Sequence, residues 1–410
     1  MKNLIFLFSS VLIFSCTRIS PPVNQFSSQS DTLIISTEKL KGSSLFKIGA
    51  GGASFRDTTE WKNMERFQFY PDYPVMYPEN VEEIKLGIRI MMFDSLRYYK
   101  EQGQVHVQQN FTKEDRLLLM IKCILNNEEV FIVDENHNSD FRDDSVRRFE
   151  KWDWNSDSPL IPCTYEISTG YESYVDTSWF KIGYKDDYLL QSTSQHLIAD
   201  LTIDNQDFTL GVADKNSASF CFLKPIMYPF EENGIKRDTF LQKDIVGIGD
   251  YIQLGEYHYK FDHVYNGSET LVLIREPDFN SLTGTQVGMN YPEFKCLSTQ
   301  GDTLLSTEMI NEKPILIANF SGCTSRSFSI FEDLNNALNE DLRIIGMESG
   351  ISTDFEGTLV DVEIAFNEDV YNKYRQAYSS YDCYLIGTSG RILDKFAIFH
   401  WETNLSEFMK

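Results

Sequence analysis

The stretch that decides the fold runs from Lys313 to Gly346, KPILIANFSGCTSRSFSIFEDLNNALNEDLRIIG. Its apolar run, Pro314 to Phe320, is too short for an ordinary helix and predicts a strand buried on both faces. A Ser-Gly turn follows at Ser321 and Gly322. Beyond Cys323, the apolar residues Phe328, Phe331, Leu334 and Leu338 recur at intervals of three and four, the stripe of a helix packed on a sheet. Leu342 to Met347 predicts a second buried strand. Strand, tight turn, helix and strand make a βαβ unit, whose crossover is right-handed and whose chemistry gathers at the carboxyl end of the first strand. Cys323 lies at that end.

Other phrases flank this unit. Val287-Gly288, Pro292, Phe294 and Gln300-Gly301-Asp302 precede it, Glu312 to Phe320 carry it, and Cys383 to Ile392 follow as a strand pair. In this order they resemble a thioredoxin-fold domain of the redoxin type, found in bacterial envelope thiol-disulfide oxidoreductases and their peroxiredoxin relatives. The resemblance covers the last third of the chain. It implies a C-terminal α/β thioredoxin-like domain, residues 286–410, and a protein thiol or disulfide as the substrate class.

The family's redox centre is Cys-x-x-Cys, in which the first thiolate attacks a disulfide and the second resolves the mixed disulfide. Here the residues are Gly322-Cys323-Thr324-Ser325-Arg326, with Arg326 in the second place. Aligned without a gap, the two places fall on Ser325 and Phe328, and the second cysteine is absent either way. Tyr381 stands at the site of the family's cis-proline, and Phe320 takes the threonine position that a peroxidatic cysteine requires. The resemblance therefore implies a degenerate redox centre with Cys323 as the remaining catalytic candidate. A helix N-terminus and the Arg326 guanidinium would both favour its thiolate. Cys383, expected on the adjoining strand, is the candidate resolving thiol, and Cys296 is a second candidate partner. The plain alternative makes all three buried apolar cysteines.

At the other end, Lys2 precedes a largely apolar core from Leu4 to Phe14 that is too short to span a bilayer. Leu12-Ile13-Phe14-Ser15-Cys16 resembles a bacterial lipoprotein signal, although Phe14 is bulkier than the usual residue. That resemblance implies a signal peptide over residues 1–15 and lipid on Cys16, so that the partner is a membrane reached through the lipid. It places the chain in the cell envelope, at the periplasmic or outer-membrane face. More than one acyl chain anchors stably, whereas one binds only marginally. A plain secretory signal with an incidental cysteine is the alternative.

The 410 residues, 42% hydrophobic and 14% aromatic, supply material for more than one core. A formal charge of −24 excludes nucleic acid as a natural partner, and its dispersed acidic residues describe a solvated surface. Setting Cys16 aside, cysteines 123, 163, 221, 296, 323 and 383 are spaced too widely for a zinc pattern or a disulfide scaffold.

Thr17 to Thr32 is polar, contains Pro21-Pro22, and predicts a tether over residues 16–42, with Leu33 to Ser36 as the first strand. Residues 43–285 are dominated by short apolar or alternating runs between turn residues, which predicts a β-rich region of sandwich type. Within it, residues 124–141 echo residues 202–220: an Asn-containing hairpin turn, a strand, and a D-x-N loop beginning at Asp134 or Asp214. Two related β-modules are expected from this.

Oxygen ligands at Asp134, Asn136, Asn138 and Asp140 resemble a calcium loop. Ser139, however, stands where the sharp-turn glycine belongs, and Ser145 replaces the bidentate glutamate. An Asp/Asn turn satisfied by its own backbone is the expected reading. The six histidines form no ligand spacing, and no cofactor or metal is expected. Two functions fit the sequence: a lipid-anchored envelope oxidoreductase with a degenerate redox centre, or a non-catalytic envelope lipoprotein using the thioredoxin fold for binding or scaffolding.

Overall fold

The segment Thr32–Ser36, TLIIS, buries Leu33 and Ile35 and turns Thr32, Ile34 and Ser36 outward, the period of a half-buried strand. In the computed structural model the described residues are 24–46 (except 28–29), 51–54, 76, 78–91, 117–214 (except 154–155, 157–158, 169–172 and 186–187), 222, 225–265 (except 239–241), 270–320, 325–348, 357–374 and 382–408. Over these the chain is β-rich. Thr32–Ser36 is the outer strand of a four-stranded antiparallel sheet with Tyr251–Leu254, Tyr257–Tyr265 and Thr270–Glu276. A seven-stranded sheet is built on the hairpin Gln195–Ile203 and Gln206–Asp214, extended by Pro225–Glu232.

The inward faces of these two sheets share one core. Leu197, Leu201, Leu210 and Val212 from the larger sheet meet Leu33, Ile35, Tyr259, Phe261 and Leu273 from the smaller. This is the sandwich expected from the alternating runs. The tether expected over residues 16–42 is corrected within the described residues. Asn24–Phe26 runs parallel to Leu201–Ile203, Glu38–Lys41 pairs with Gln195–Ile198, and Thr32–Ser36 between them pairs with Thr270–Ile274 in the other sheet. The apolar pair Leu33 and Ile35 outweighs the polar residues around it, because burial rewards even two such side chains by several kcal/mol, about 1.5–3 each. Asn24 fixes the crossing: its Nδ2 donates to Ser36 O (3.2 Å) and Asp200 O (3.0 Å), and its Oδ1 accepts from Ser36 N (3.2 Å).

The two halves of the sequence repeat form similar hairpins, although they belong to different sheets. Leu117–Leu125 turns into Glu128–Val133 through Asn126 and Asn127, with φ 53° and 62°; Ile203 turns into Gln206 through Asp204 and Asn205, with φ 46° and 66°. Paired positive φ values are the signature of the tight hairpin turn whose twist matches its strands, and Asn and Asp tolerate them. Asp134 and Asp214, which open the two D-x-N loops, are both buried. The remainder of the second loop lies outside the described residues.

Within its described residues, 313–320 and 325–346, the decisive stretch folds as read; the turn expected at Ser321 and Gly322 lies outside them. Ile315–Asn319 is the central strand of a five-stranded sheet, with Arg343–Glu348 parallel on one side, then Thr358–Asp361, and Asp382–Ile386 antiparallel on the other, then Ile392–Ala397. All five of its residues are buried. Ile315 and Ile317 face one core with Met347, Tyr384 and Ile386. Leu316 and Ala318 face the other, where helix Ser325–Leu338 lays down Phe331, Leu334 and Leu338, with Phe328 at its margin. Phe331 stacks on Phe320, with centroids 4.6 Å apart, and presses against Gly346, the cross-strand neighbour of Ala318. A Cβ at Gly346 would run into that ring and lie 2.8 Å from Leu359 Cδ2, so two small residues side by side make the seat for the helix.

Candidate functional site

The parallel strands end at Asn319 and Glu348, and the neighbouring antiparallel strand begins at Asp382, all at one edge of the sheet. Polar side chains collect there in spite of full burial. Asn319, Glu348 and Asp382 are buried, as are Lys395 on the next strand and Ser327 on the helix. Asn319 Nδ2 donates to Tyr374 O (3.0 Å) and Asp382 O (2.7 Å), tying the central strand to helix Glu368–Tyr374 and to the start of strand Asp382–Ile386. The Lys395 ammonium lies 3.8 Å from Asp382 Oδ2 and 5.5 Å from the Tyr384 ring centroid. Burial pushes the Tyr384 hydroxyl well above its ordinary range, and the Asp382 carboxylate adds to the shift. An ion pair so enclosed is tolerated because each partner answers the other, and removing either would strand a charge.

The cysteines can be placed against this edge. Cys383 lies on the strand adjoining Ile315–Asn319, opposite Ala318, where it was expected. Its surroundings do not suit a resolving thiol: it has no solvent exposure, and burial together with the Asp382 charge drives its pKa far up. Cys296, on strand Lys295–Leu297, is equally enclosed, and its thiol is pushed up to about 12. Cys296 belongs to the core on one face of the five-stranded sheet and Cys383 to the core on the other. The sheet therefore stands between them, and both are free thiols. Cys123 and Cys163, in the β-rich region, are also free and buried. Cys16, Cys221 and Cys323 lie outside the described residues, as do residues 1–15, expected to be a signal peptide, and Tyr381, expected at the family's cis-proline position. Arg326, expected to assist a Cys323 thiolate, holds its guanidinium 5.8 Å from the Phe399 ring centroid.

The loop that resembled a calcium site spends its oxygens on its own backbone. Asp134 accepts from Asn138 N (3.1 Å) and Ser139 N (3.0 Å), Asn138 Oδ1 from Asp140 N (2.7 Å), and Asp140 Oδ1 from Arg142 N (3.1 Å). These are the Asp/Asn turns anticipated for it. His137 and Ser139 adopt φ of 57° and 62° to close them. Among the described residues no three His, Cys, Asp or Glu side chains converge in a way that could hold a metal ion.

Asn319, Asp382 and Lys395 escaped the reading of the sequence. The usable signal was a polar residue closing the otherwise apolar run ILIAN, and a lysine inside the strand ILDKFA.

No family model matches the chain, and no curated protein matches it. Solved structures do. The thioredoxin domain of a thiol-disulfide oxidoreductase from Bacteroides vulgatus is 16% identical, covering 32% of this chain and 100% of that one, with a TM-score of 0.24. The exposed lipoprotein thioredoxin of Streptococcus pneumoniae is 11% identical over 28% of this chain and 99% of its own, with a TM-score of 0.23. Yeast Sco1 with copper bound is 15% identical over 28% and 89%, with a TM-score of 0.24. Each likeness extends over about 30% of this chain.

Proposed function

We propose that the chain is a lipid-anchored cell-envelope protein of the redoxin type whose thioredoxin-like domain, residues 286–410, has a degenerate redox centre and serves as a binding or scaffolding module. One observation carries this reading: the two cysteines that could have resolved a bond to Cys323 are sealed in separate cores on opposite faces of one sheet, with their thiols driven away from ionisation. Thiol-disulfide exchange needs an accessible thiolate, so neither partner serves without opening its core. Arg326 in place of a second cysteine points the same way. The anchor rests on the resemblance of Leu12 to Cys16 to a lipoprotein signal.

A second reading keeps Cys323 reactive as a single thiol, with the resolving thiol supplied by the partner protein. Alkylation of the native protein separates the two. A scaffolding module leaves Cys323 labelling no faster than a free thiol at neutral pH and does not reduce a disulfide substrate. Rapid labelling at a pH well below the ordinary thiol pKa, lost in Cys323→Ser together with a mixed disulfide to the substrate, would install the second reading instead. Detergent partitioning of the mature protein, abolished by Cys16→Ser, tests the anchor independently.

A further inference from the structure

A cleft of 420 Å³ opens where the four-stranded sheet of the sandwich meets the segment leading to residue 290, between strands Pro225–Glu232 and Tyr251–Leu254. Tyr251–Leu254 is the terminal strand of its sheet, and among the described residues its outer edge carries no neighbouring strand. Its hairpin closes on the pair Leu254 and Tyr257, which directs the main-chain groups of Leu254 and Ile252 inward. Those of Tyr251 and Gln253 point out, into the cleft.

At Tyr251 the outward groups are already taken, and the manner is informative. The Gln286 side-chain amide accepts from Tyr251 N (2.7 Å) and donates to Tyr251 O (2.8 Å). One amide group thus reproduces the pair of hydrogen bonds that a residue of an added strand would make. Gln253 is the next outward residue and is exposed. Beside this edge stands a flat plate, His258 stacked on Phe279 with centroids 3.9 Å apart and planes 4° from parallel. Burial holds the imidazole below its ordinary pKa, so the plate is uncharged at neutral pH. The walls carry both signs, Arg237 paired to Asp244 at 2.5 Å, with Lys243 and Glu232 nearby.

We propose that this cleft receives an extended, near-neutral polar peptide as an added strand on Tyr251–Leu254, pairing with the main chain of Gln253 and packing on the His258–Phe279 plate. Main-chain pairing gives such sites their affinity, and balanced wall charges admit a peptide of little net charge to a protein whose formal charge is −24. The occupant lies in the β-rich region and does not depend on any thiol.

The test uses the full chain and an acetylated, amidated Thr-Val-Thr-Val-Thr peptide, chosen for β propensity and zero charge. Hydrogen exchange of the Gln253 amide should slow at least tenfold on binding. Gln253→Ala, which keeps the main chain, should bind as the native protein does. Gln253→Pro, tolerated on an edge strand but lacking the N–H, should lose at least tenfold in affinity. Unchanged exchange at Gln253 at the highest soluble peptide concentration overturns the proposal. So does loss of binding in Gln253→Ala, an outcome that reads even if the proline variant does not fold.

Discussion

The sandwich and the C-terminal five-stranded sheet solve the same problem with opposite tolerances. On the outward face of the sandwich polar residues stand in solvent, where Thr202 bonds Asp207 at 2.7 Å and Thr209 bonds Asp200 at 2.6 Å, although Gln195 and His196 at one end of the larger sheet are buried. In the C-terminal sheet the central strands are covered on both faces, so Asn319 and Asp382 are inside whether or not the core has use for them. A polar side chain is therefore nearly free of consequence on that outward face and a structural commitment in the second region. The difference follows from how many faces a strand must hide.

The largest effect that could break this comparison is at the helix seat. Phe331→Ala should cost about 3–5 kcal/mol in denaturant unfolding, since the ring sits fully buried on Phe320 and Gly346. Ile34→Ala, on the outward face of the sandwich, should fall within about 0.5 kcal/mol. Similar losses at the two sites would erase the contrast. Next in size is Asn319→Leu, which leaves the buried carbonyls of Tyr374 and Asp382 without their donor and should cost about 2–4 kcal/mol. Thr209→Val, breaking an exposed bond, sharpens the point if it costs less than about 0.5 kcal/mol.

The last effect is set by pH and concerns the loop of the β-rich region that holds the half-buried Asp144. Asp144 accepts from Glu135 N at 3.0 Å, and burial, reinforced by Asp134, Asp143 and Glu135, raises its pKa to about 7. Its folded value thus exceeds the unfolded value of about 3.9, so the folded state holds a proton that the unfolded state releases. The contribution is fully present below about pH 4 and is lost as pH rises through about 7. Melting temperature should accordingly fall between about pH 5 and pH 8, and Asp144→Asn, which retains the acceptor for Glu135 N, should flatten that slope.

How far the sequence disclosed these arrangements depended on where each constraint was written. The run from Pro314 to Phe320 and the stripe Phe328, Phe331, Leu334 and Leu338 are local, and strand, helix and facing core all came through. The hairpins at Asn126-Asn127 and Asp204-Asn205 were legible for the same reason, because the turn chemistry sits inside the turn. The strands at Asn24–Phe26 and Glu38–Lys41 were not, since what makes them strands is a partner at Gln195–Ile203. Asn319 was missed likewise: its worth lies in two carbonyls supplied by Tyr374 and Asp382, far along the chain.

The opening strands have a further consequence, for the order of assembly. Asn24 waits for Leu201 and Ser36 for Thr270, so neither layer can be completed until most of the polypeptide has emerged. A chain delivered from its N-terminus would keep Thr32–Ser36 as an unsatisfied ribbon through that interval, the kind of long-range closure that slows folding and invites mispairing. The sheet from Ile315 to Ala397 draws every partner from its own neighbourhood. It is made after the sandwich and needs a shorter wait than the sandwich does.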